Sequence, residues 1–417
     1  MISRIKGTQD FIDLTLFNFI IDQARKHLEL YSFSQIETPL LEPTELFKRS
    51  LGLQTDVVGK EMYTVNTGPH GDDICLRPEA TAAIVRAFIE NHIQQTPWKV
   101  FLAGAMFRHE RPQKGRYRQF HQISIEVIGA AAVMQDVQFI VMLDHFFGQK
   151  LLIPNYVLQL NFLGCPEDRA RHKIALKEFL LSDEAHIICN LCKDRSEKNI
   201  MRIFDCKNEV CQKLYTTAPR ITDYLCGQCS GEWSIICEQL NILGVKYSHQ
   251  PTLVRGLDYY NKIVFEFVSN NLGAQNTFCA GGRYDQLITQ IGGKTDQPSL
   301  GAAMGIERLM LLLEDHKDLL VLPKKPVLHL IMPMGHDEQL PALTLANSLR
   351  SQGLAVDVML EGDSIKSMMK KADKINAHYA LIIGSDEQQA HEVTIKNMVT
   401  GESYRVKQAD ALSALTS

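Results

Sequence analysis

No stretch of this chain is apolar for the roughly 20 residues that a bilayer crossing requires, and the N-terminus, MISRIKGTQD, has no apolar centre of the secretory kind. Those absences set aside membrane-spanning and exported classes and make the cytoplasm the expected compartment. A surplus of one charge sign is also missing: 44 Lys and Arg against 48 Asp and Glu leave a net charge of −4. A basic coat that holds nucleic acid everywhere is therefore excluded, and any polyanion site has to be local. Neither GxxxxGK[ST] nor GxGxxG after a strand pattern occurs, which removes the commonest glycine-lined phosphate cradles. Internal repeats, heptads and low-complexity tracts are absent too.

What is there is an ordinary globular composition, 45% apolar and 22% charged, in 417 residues. That length is long for one core and predicts two or three domains. Residues 1–163 mix helical patterns such as TAAIVRAFIENHI with strand-like KVFLAGAMFRHE and QISIEVIG. Residues 164–235 turn charged, cysteine-rich and helix-compatible, as an inserted subdomain would. Strand patterns return over 236–322 at KIVFEFV and AGGRYD, and LGAAMGIERLMLLLE switches to helical periodicity at Gly305. Pro323, Lys324, Lys325 and Pro326 form a helix-breaking linker. Beyond it, 327–417 alternates strand and helix as a small α/β domain does.

Two neighbouring segments carry chemistry. In QISIEVIG, period-two alternation places Gln122, Ser124 and Glu126 on one face and Ile123, Ile125 and Val127 on the other. That polar face suits the floor of a site, and equally a half-exposed strand facing water. Just upstream, FRHERPQKGRYRQFHQ packs Arg108, Arg111, Lys114, Arg116 and Arg118 into a hairpin-like span whose loop is marked by Pro112 and Gly115. Guanidinium forks suit phosphate oxygens, and Phe120 can stack on a base. Taken alone, the same charges also fit a solvated loop.

Five segments in order, LRPEATA (76–82), MFRHERPQKGRYRQFHQ (106–122), LVRGLDYY (253–260), CAGGRYD (279–285) and LGAAMGIERL (300–309), resemble the histidyl-tRNA synthetases, a family of class II aminoacyl-tRNA synthetases. IETPLLEPTELFKR resembles the class motif at the dimer interface, and KKADKINAHYALIIG with VTIKNMVTGE is similar to the family's anticodon-binding domain. The resemblance implies an α+β catalytic domain with an antiparallel sheet, a helical insertion and a C-terminal α/β anticodon-binding domain. It implies ATP-dependent ligation of L-histidine to tRNA(His) by a homodimer through a histidyl-adenylate, with Mg²⁺ on the β and γ phosphates and Glu110 a candidate participant. By the same resemblance Arg108 meets the α-phosphate, Arg116 and Arg308 the γ-phosphate end, Phe120 the adenine, and Arg255 stands near the α-phosphate as a catalytic cation. Glu126 and Tyr260 would take the two imidazole nitrogens, with Tyr259 and Tyr284 lining the pocket and Glu79, Thr81 and Gln122 holding the α-amino group. Gln113, Lys114 and Arg118 would face the acceptor stem, where the extra 5′ guanosine is expected to matter. A second class is a non-catalytic paralog, the histidine-sensing regulatory subunit of ATP phosphoribosyltransferase. That paralog lacks the C-terminal domain and loses several nucleotide-binding arginines, whereas this chain keeps Arg108 and Arg116 and runs on for about 90 residues after Pro326.

Six of the ten cysteines fall between Cys189 and Cys229. The doublets Cys189/Cys192 and Cys226/Cys229 have the ligand chemistry of one structural Cys₄ zinc site, with Cys206 and Cys211 as alternative ligands. Buried or free thiols in a helical insertion are the other reading.

Overall fold

WKVFLAGAMF and QFHQISIEVI pair residue for residue as an antiparallel hairpin, Trp98 opposite Ile128 and Phe107 opposite Gln119. They belong to an eight-stranded sheet whose strands are β1 (Ser34–Gln35), β2 (Trp98–Phe107), β3 (Gln119–Ile128), β4 (Tyr156–Phe162), β5 (Tyr247–His249), β6 (Asn261–Ser269), β7 (Thr277–Arg283) and β8 (Ser299–Gly305). Their spatial order is β1-β2-β3-β8-β7-β6-β4-β5. The six central strands are antiparallel, and the two edge strands β1 and β5 add in parallel. The computed structural model describes residues 2–52, 55–68, 71–182, 187–273 and 276–416.

Besides the short helices Thr44–Leu51 and Leu287–Gln290, this unit has helices α1 (Thr15–Glu29), α2 (Thr81–Glu90), α3 (Val133–His145), α4 (Pro166–Leu180), α5 (Asn190–Lys198), α6 (Glu209–Tyr215), α7 (Gly227–Ile242) and α8 (Ile306–Glu314) among the described residues. One sheet face is apolar because β3 turns Ile123, Ile125 and Val127 and β8 turns Leu300, Ala302 and Met304 to the same side. Phe19, Ile20 and Leu28 of α1, Phe139, Ile140 and Leu143 of α3, and Leu309, Leu312 and Leu313 of α8 close over it. Each such side chain contributes roughly 1.5–3 kcal/mol on burial. The opposite face carries a second core in which Val100, Leu102, Ile84, Val85, Tyr259, Tyr260 and Tyr284 surround polar residues. Ser124 and Glu126 are therefore fully buried, and the half-exposed strand is not what forms.

Between 166 and 242 the elements are helical, with a small core of Leu176, Ile188, Ile200, Ile203 and Leu214. The expected boundary at 235 falls inside α7. Its buried face, Cys229, Ile236 and Leu240, packs into the main sheet core, so this helix serves the catalytic unit.

The chain divides into compact units at 322/323, so that the first linker proline, Pro323, opens the second unit. In the second unit, strands β9 (Leu328–Pro333), β10 (Ala355–Val358), β11 (Tyr379–Ile383), β12 (Glu392–Asn397) and β13 (Ser403–Lys407) form a mixed sheet ordered β10-β9-β11-β12-β13. Helices Gln339–Ser351 and Ile365–Lys374 follow β9 and β10. The strand SYRVK at its edge is almost wholly exposed, only Val406 being half-buried against the core of this unit.

Candidate active site

A cavity of about 360 Å³ opens over the polar face of the first sheet. β2 and β3 supply Arg108 and Phe120 from the hairpin ends, β3 supplies Gln122, and the start of α8 supplies Arg308. The segment before β6 supplies Arg255, Tyr259 and Tyr260, while Glu79 and Thr81 come from the entry to α2.

Arg108, Arg116, Arg202, Arg255 and Arg308 all line this cavity. Arg108 donates through Nε to the Pro78 carbonyl at 2.9 Å, and its guanidinium lies 5.3 Å from the centre of the Phe120 ring. Arg116 pairs with the Glu110 carboxylate and stands 3.9 Å from Glu61. Arg308 donates to the carbonyls of Gly115 and Thr277. Burial and the like charge of Arg116, with Arg108 behind it, pull the Arg308 pKa below its ordinary value, Glu110 opposing. Arg255 pairs with Glu266, whose other oxygen accepts the Thr277 hydroxyl at 2.7 Å, and its guanidinium lies 5.5 Å from the Tyr260 ring centre. Burial works against the Arg255 charge, but Glu266 beside it holds the pKa above normal. Its Nε is buried and has no hydrogen-bond partner among the described residues.

The amino-acid end is built differently. Glu79 accepts the backbone N–H groups of Thr81 (2.8 Å) and Ala82 (2.9 Å) at the start of α2, and burial pushes its pKa up against those bonds. The buried Gln122 Oε1 has no partner among the described residues. Arg255 and Gln122 both line this cavity, and a buried polar atom on each without a partner among the described residues is a place where a ligand can complete the bonding. Tyr259 and Tyr260 lie with ring centres 4.6 Å apart, and Tyr284 lies 5.8 Å from Tyr259.

Glu126 and Tyr284 sit one layer deeper than the resemblance implies. Neither lines the cavity. Each Glu126 oxygen accepts a hydroxyl, from Thr81 at 2.7 Å and from Tyr284 at 2.5 Å, and burial raises its pKa to about 8. Gly301 opposite it in β8 is required: a Cβ there would run into Glu126 Oε2.

The three loop residues also separate. Gln113 and Lys114 are exposed at the hairpin tip, where Gln113 bridges to Arg116. Arg118 belongs to the hairpin neck instead. Its backbone joins Gly7 and Arg108, and its Nε donates to the Glu110 carbonyl at 3.3 Å.

The single Cys₄ set is contradicted. Cys189 and Cys192 gather with Cys206 and Cys211, whereas Cys226 and Cys229 gather with Cys165 and Asp168. The reason is α7: it carries the second doublet into the main core, away from α5.

Several functional side chains went unanticipated. Glu266 is the lone acid in the apolar strand KIVFEFV, a signal present in the pattern. Arg202 reaches the cavity from the helical segment, and Asn199 Nδ2 donates to Asp258 Oδ1 at 2.9 Å; no motif marks either. Glu307 accepts the His121 backbone N–H at 3.0 Å and binds its ring, fixing β3 to α8.

Residues 19–309 match the family model described as histidyl-tRNA synthetase, and 329–417 match the anticodon binding domain. The chain is 41% identical over 415 residues, 98% of both proteins, to the histidine–tRNA ligase of Halothermothrix orenii. It is 42% identical over 410 residues to that of Aquifex aeolicus, covering 97% of this chain and 98% of the relative. The crystal structure of apo histidyl-tRNA synthetase from S. aureus superposes with a TM-score of 0.81 at 32% identity, covering 100% of each chain. With an arginine-lined cavity on an antiparallel sheet, a separate second sheet and relatives matched end to end, the chain belongs to the histidyl-tRNA synthetase family.

Proposed function

We propose that the protein ligates L-histidine to tRNA(His) in two steps at this cavity. A histidine carboxylate oxygen attacks the α-phosphorus of ATP, forming histidyl-adenylate as the bond to pyrophosphate breaks. The 3′-hydroxyl of the terminal tRNA ribose then attacks the acyl carbon and AMP leaves. The observation that carries this reading is the convergence of Arg108, Arg116, Arg255 and Arg308 on one cavity without a glycine-lined cradle.

Bringing two anions together is the main barrier, and fixed cations lower it by positioning and by stabilising charge that grows on the phosphate. Arg108 and Arg255 are assigned to the α-phosphate, Arg116 and Arg308 to the γ end, and the open face of Phe120 to adenine. Glu79, Thr81 and Gln122 suit the histidine ammonium, with carboxylate and amide oxygens facing it. Tyr260 meets the imidazole directly, and Glu126 supports that end through Thr81 and Tyr284. A side chain lacking both ring nitrogens would leave buried polar groups unpaired, worth several kcal/mol of discrimination. Glu110, with Glu61 nearby, offers the hard carboxylate oxygens that suit Mg²⁺ bound chiefly by phosphate. When bound there, Mg²⁺ neutralises β- and γ-phosphate charge.

Gln113 and Lys114 are assigned to the acceptor stem and residues 323–417 to the anticodon. A homodimer in the cytoplasm is the proposed working form, and exposed Leu40 and Leu41 in the interface-like motif support it. The histidine-sensing regulatory reading is not favoured: the four arginines remain and the second unit matches the anticodon binding domain. Amino-acid-dependent ATP–pyrophosphate exchange across the twenty amino acids tests the proposal. Exchange with histidine alone is expected, and no exchange with histidine and Mg-ATP would overturn it.

A further inference from the structure

The Sγ atoms of Cys189, Cys192, Cys206 and Cys211 all lie within 4.8 Å of one another, and those of Cys189 and Cys206 are 3.7 Å apart. Four thiolates around one zinc ion at about 2.3 Å define a tetrahedron with edges of about 3.8 Å. A disulfide would need about 2 Å, and none of the four is bridged. The spacing is thus that of ligands to one ion. Three of the four are buried, and Cys189 closes the group toward solvent.

Hydrogen-bond donors stand beside the sulfur atoms. The Cys189 backbone N–H donates to Cys211 Sγ at 3.3 Å, and that of Asn208 donates to Cys206 Sγ at 3.4 Å. Cys192 lies in the first turn of the nine-residue helix α5, where exposed N–H groups favour negative charge. The Tyr215 hydroxyl is buried beside Cys192, where it can donate to a thiolate.

The segment also has a need for such an anchor. Helices α5 and α6 have nine and seven residues, below the length at which helices persist alone, and their shared core is small. Metal binding supplies folding free energy in this situation. The second cluster differs: the Asp168 oxygens already accept the N–H groups of Cys165 (3.1 Å) and Cys226 (2.8 Å), so its carboxylate ties chain segments together.

We propose that Cys189, Cys192, Cys206 and Cys211 bind one structural zinc ion. Its role is positional. Cys206 ends the turn Ile200–Asp205 that carries Arg202 into the cavity, and Asn199 before that turn holds Asp258. The ion would fix this turn and take no part in bond making.

The test is metal analysis of the full-length protein purified without chelator from zinc-supplied cells. One zinc per chain is expected, and Co²⁺ loaded in its place should give the intense charge-transfer and d–d bands of a tetrahedral four-thiolate site. Cys206→Ser should lose the metal, while Cys226→Ser keeps it. Wild-type protein that holds no zinc and gives no thiolate–cobalt spectrum would overturn the proposal, as would iron in zinc's place or retention of metal by a folded Cys206→Ser variant. If Cys206→Ser fails to fold, the wild-type metal content and cobalt spectrum decide the matter alone.

Discussion

Replacing Arg255 by alanine will separate two things that its guanidinium does. It lines the cavity with an Nε that has no partner among the described residues, and it neutralises Glu266. Losing a fixed donor aimed at charge that develops on a phosphate costs about 3–4 kcal/mol, a fall of about 10²–10³-fold in adenylate formation. Losing the counter-ion leaves the Glu266 carboxylate, 17% exposed, with the Thr277 hydroxyl at 2.7 Å as its one side-chain hydrogen bond among the described residues. An orphaned group of that kind destabilises by about 1–3 kcal/mol. A second change tells the two effects apart. In Arg255→Ala/Glu266→Gln the orphaned charge is gone, so most of the lost stability should return while catalysis does not. Histidine-dependent pyrophosphate exchange and thermal unfolding, measured on both variants, are the assays. If the double variant regained exchange to within tenfold of the wild type, Arg255 would be a structural partner of Glu266 and not a catalytic cation.

Burial holds Glu126 at about 8 against an ordinary 4.5, so the folded chain keeps a proton that the unfolded chain releases between those values. Stability from this group is therefore complete at low pH and declines as pH rises from about 4.5 toward 8. Urea unfolding across that range should show a shallower decline in Glu126→Gln; Asp136, raised to about 6 chiefly by burial, keeps a residual slope in both proteins. An unchanged slope would mean that Glu126 is ionised in the folded state. Lys114→Ala, at the exposed hairpin tip, should lower aminoacylation several-fold while exchange stays near normal; equal losses would take the tip away from tRNA. Gly301→Ala drives a methyl into Glu126 and toward the Ile125 carbonyl at 2.8 Å, which should cost about 1–3 kcal/mol and raise the KM for histidine more than that for ATP. Equal effects on both KM values would disconnect Glu126 from the histidine end.

How much of this could be read beforehand depended on the range of the interactions. The hairpin, the polar face of QISIEVIG and the strand-to-helix switch at Gly305 were legible because each is set by neighbours a few residues apart. The depth of Glu126 was not. Whether its oxygens open on a cavity or are filled by Thr81 and Tyr284 depends on residues 45 and 158 positions away. The cysteine pairing failed for the same reason: equal CxxC spacing says nothing about which doublet the main core will claim, and α7 claims one through Ile236 and Leu240. Arg118 shows a subtler limit. Its charge marked it for the loop, yet its backbone bonds to Gly7 and Arg108 place it at the neck. Arg202 could be assigned only once the helical segment was placed against LVRGLDYY.

A phosphate site built from arginines faces a problem that a glycine-lined loop avoids. Backbone N–H groups are fixed by the fold and carry partial charge, whereas full cations repel one another until the anion arrives. This chain stores them. Arg116 rests on Glu110 and Arg255 on Glu266, while Arg108 and Arg308 rest on the carbonyls of Pro78, Gly115 and Thr277. Storage is incomplete, because burial and the neighbouring arginines still press Arg308 toward losing its proton, and the Nε of Arg255 lacks a partner among the described residues. That residual positive potential is what a triphosphate relieves. Carboxylates in the site thus keep the cations charged and poised before substrate binds, and the same arrangement explains why an overall acidic chain can hold one of the most anionic of metabolites.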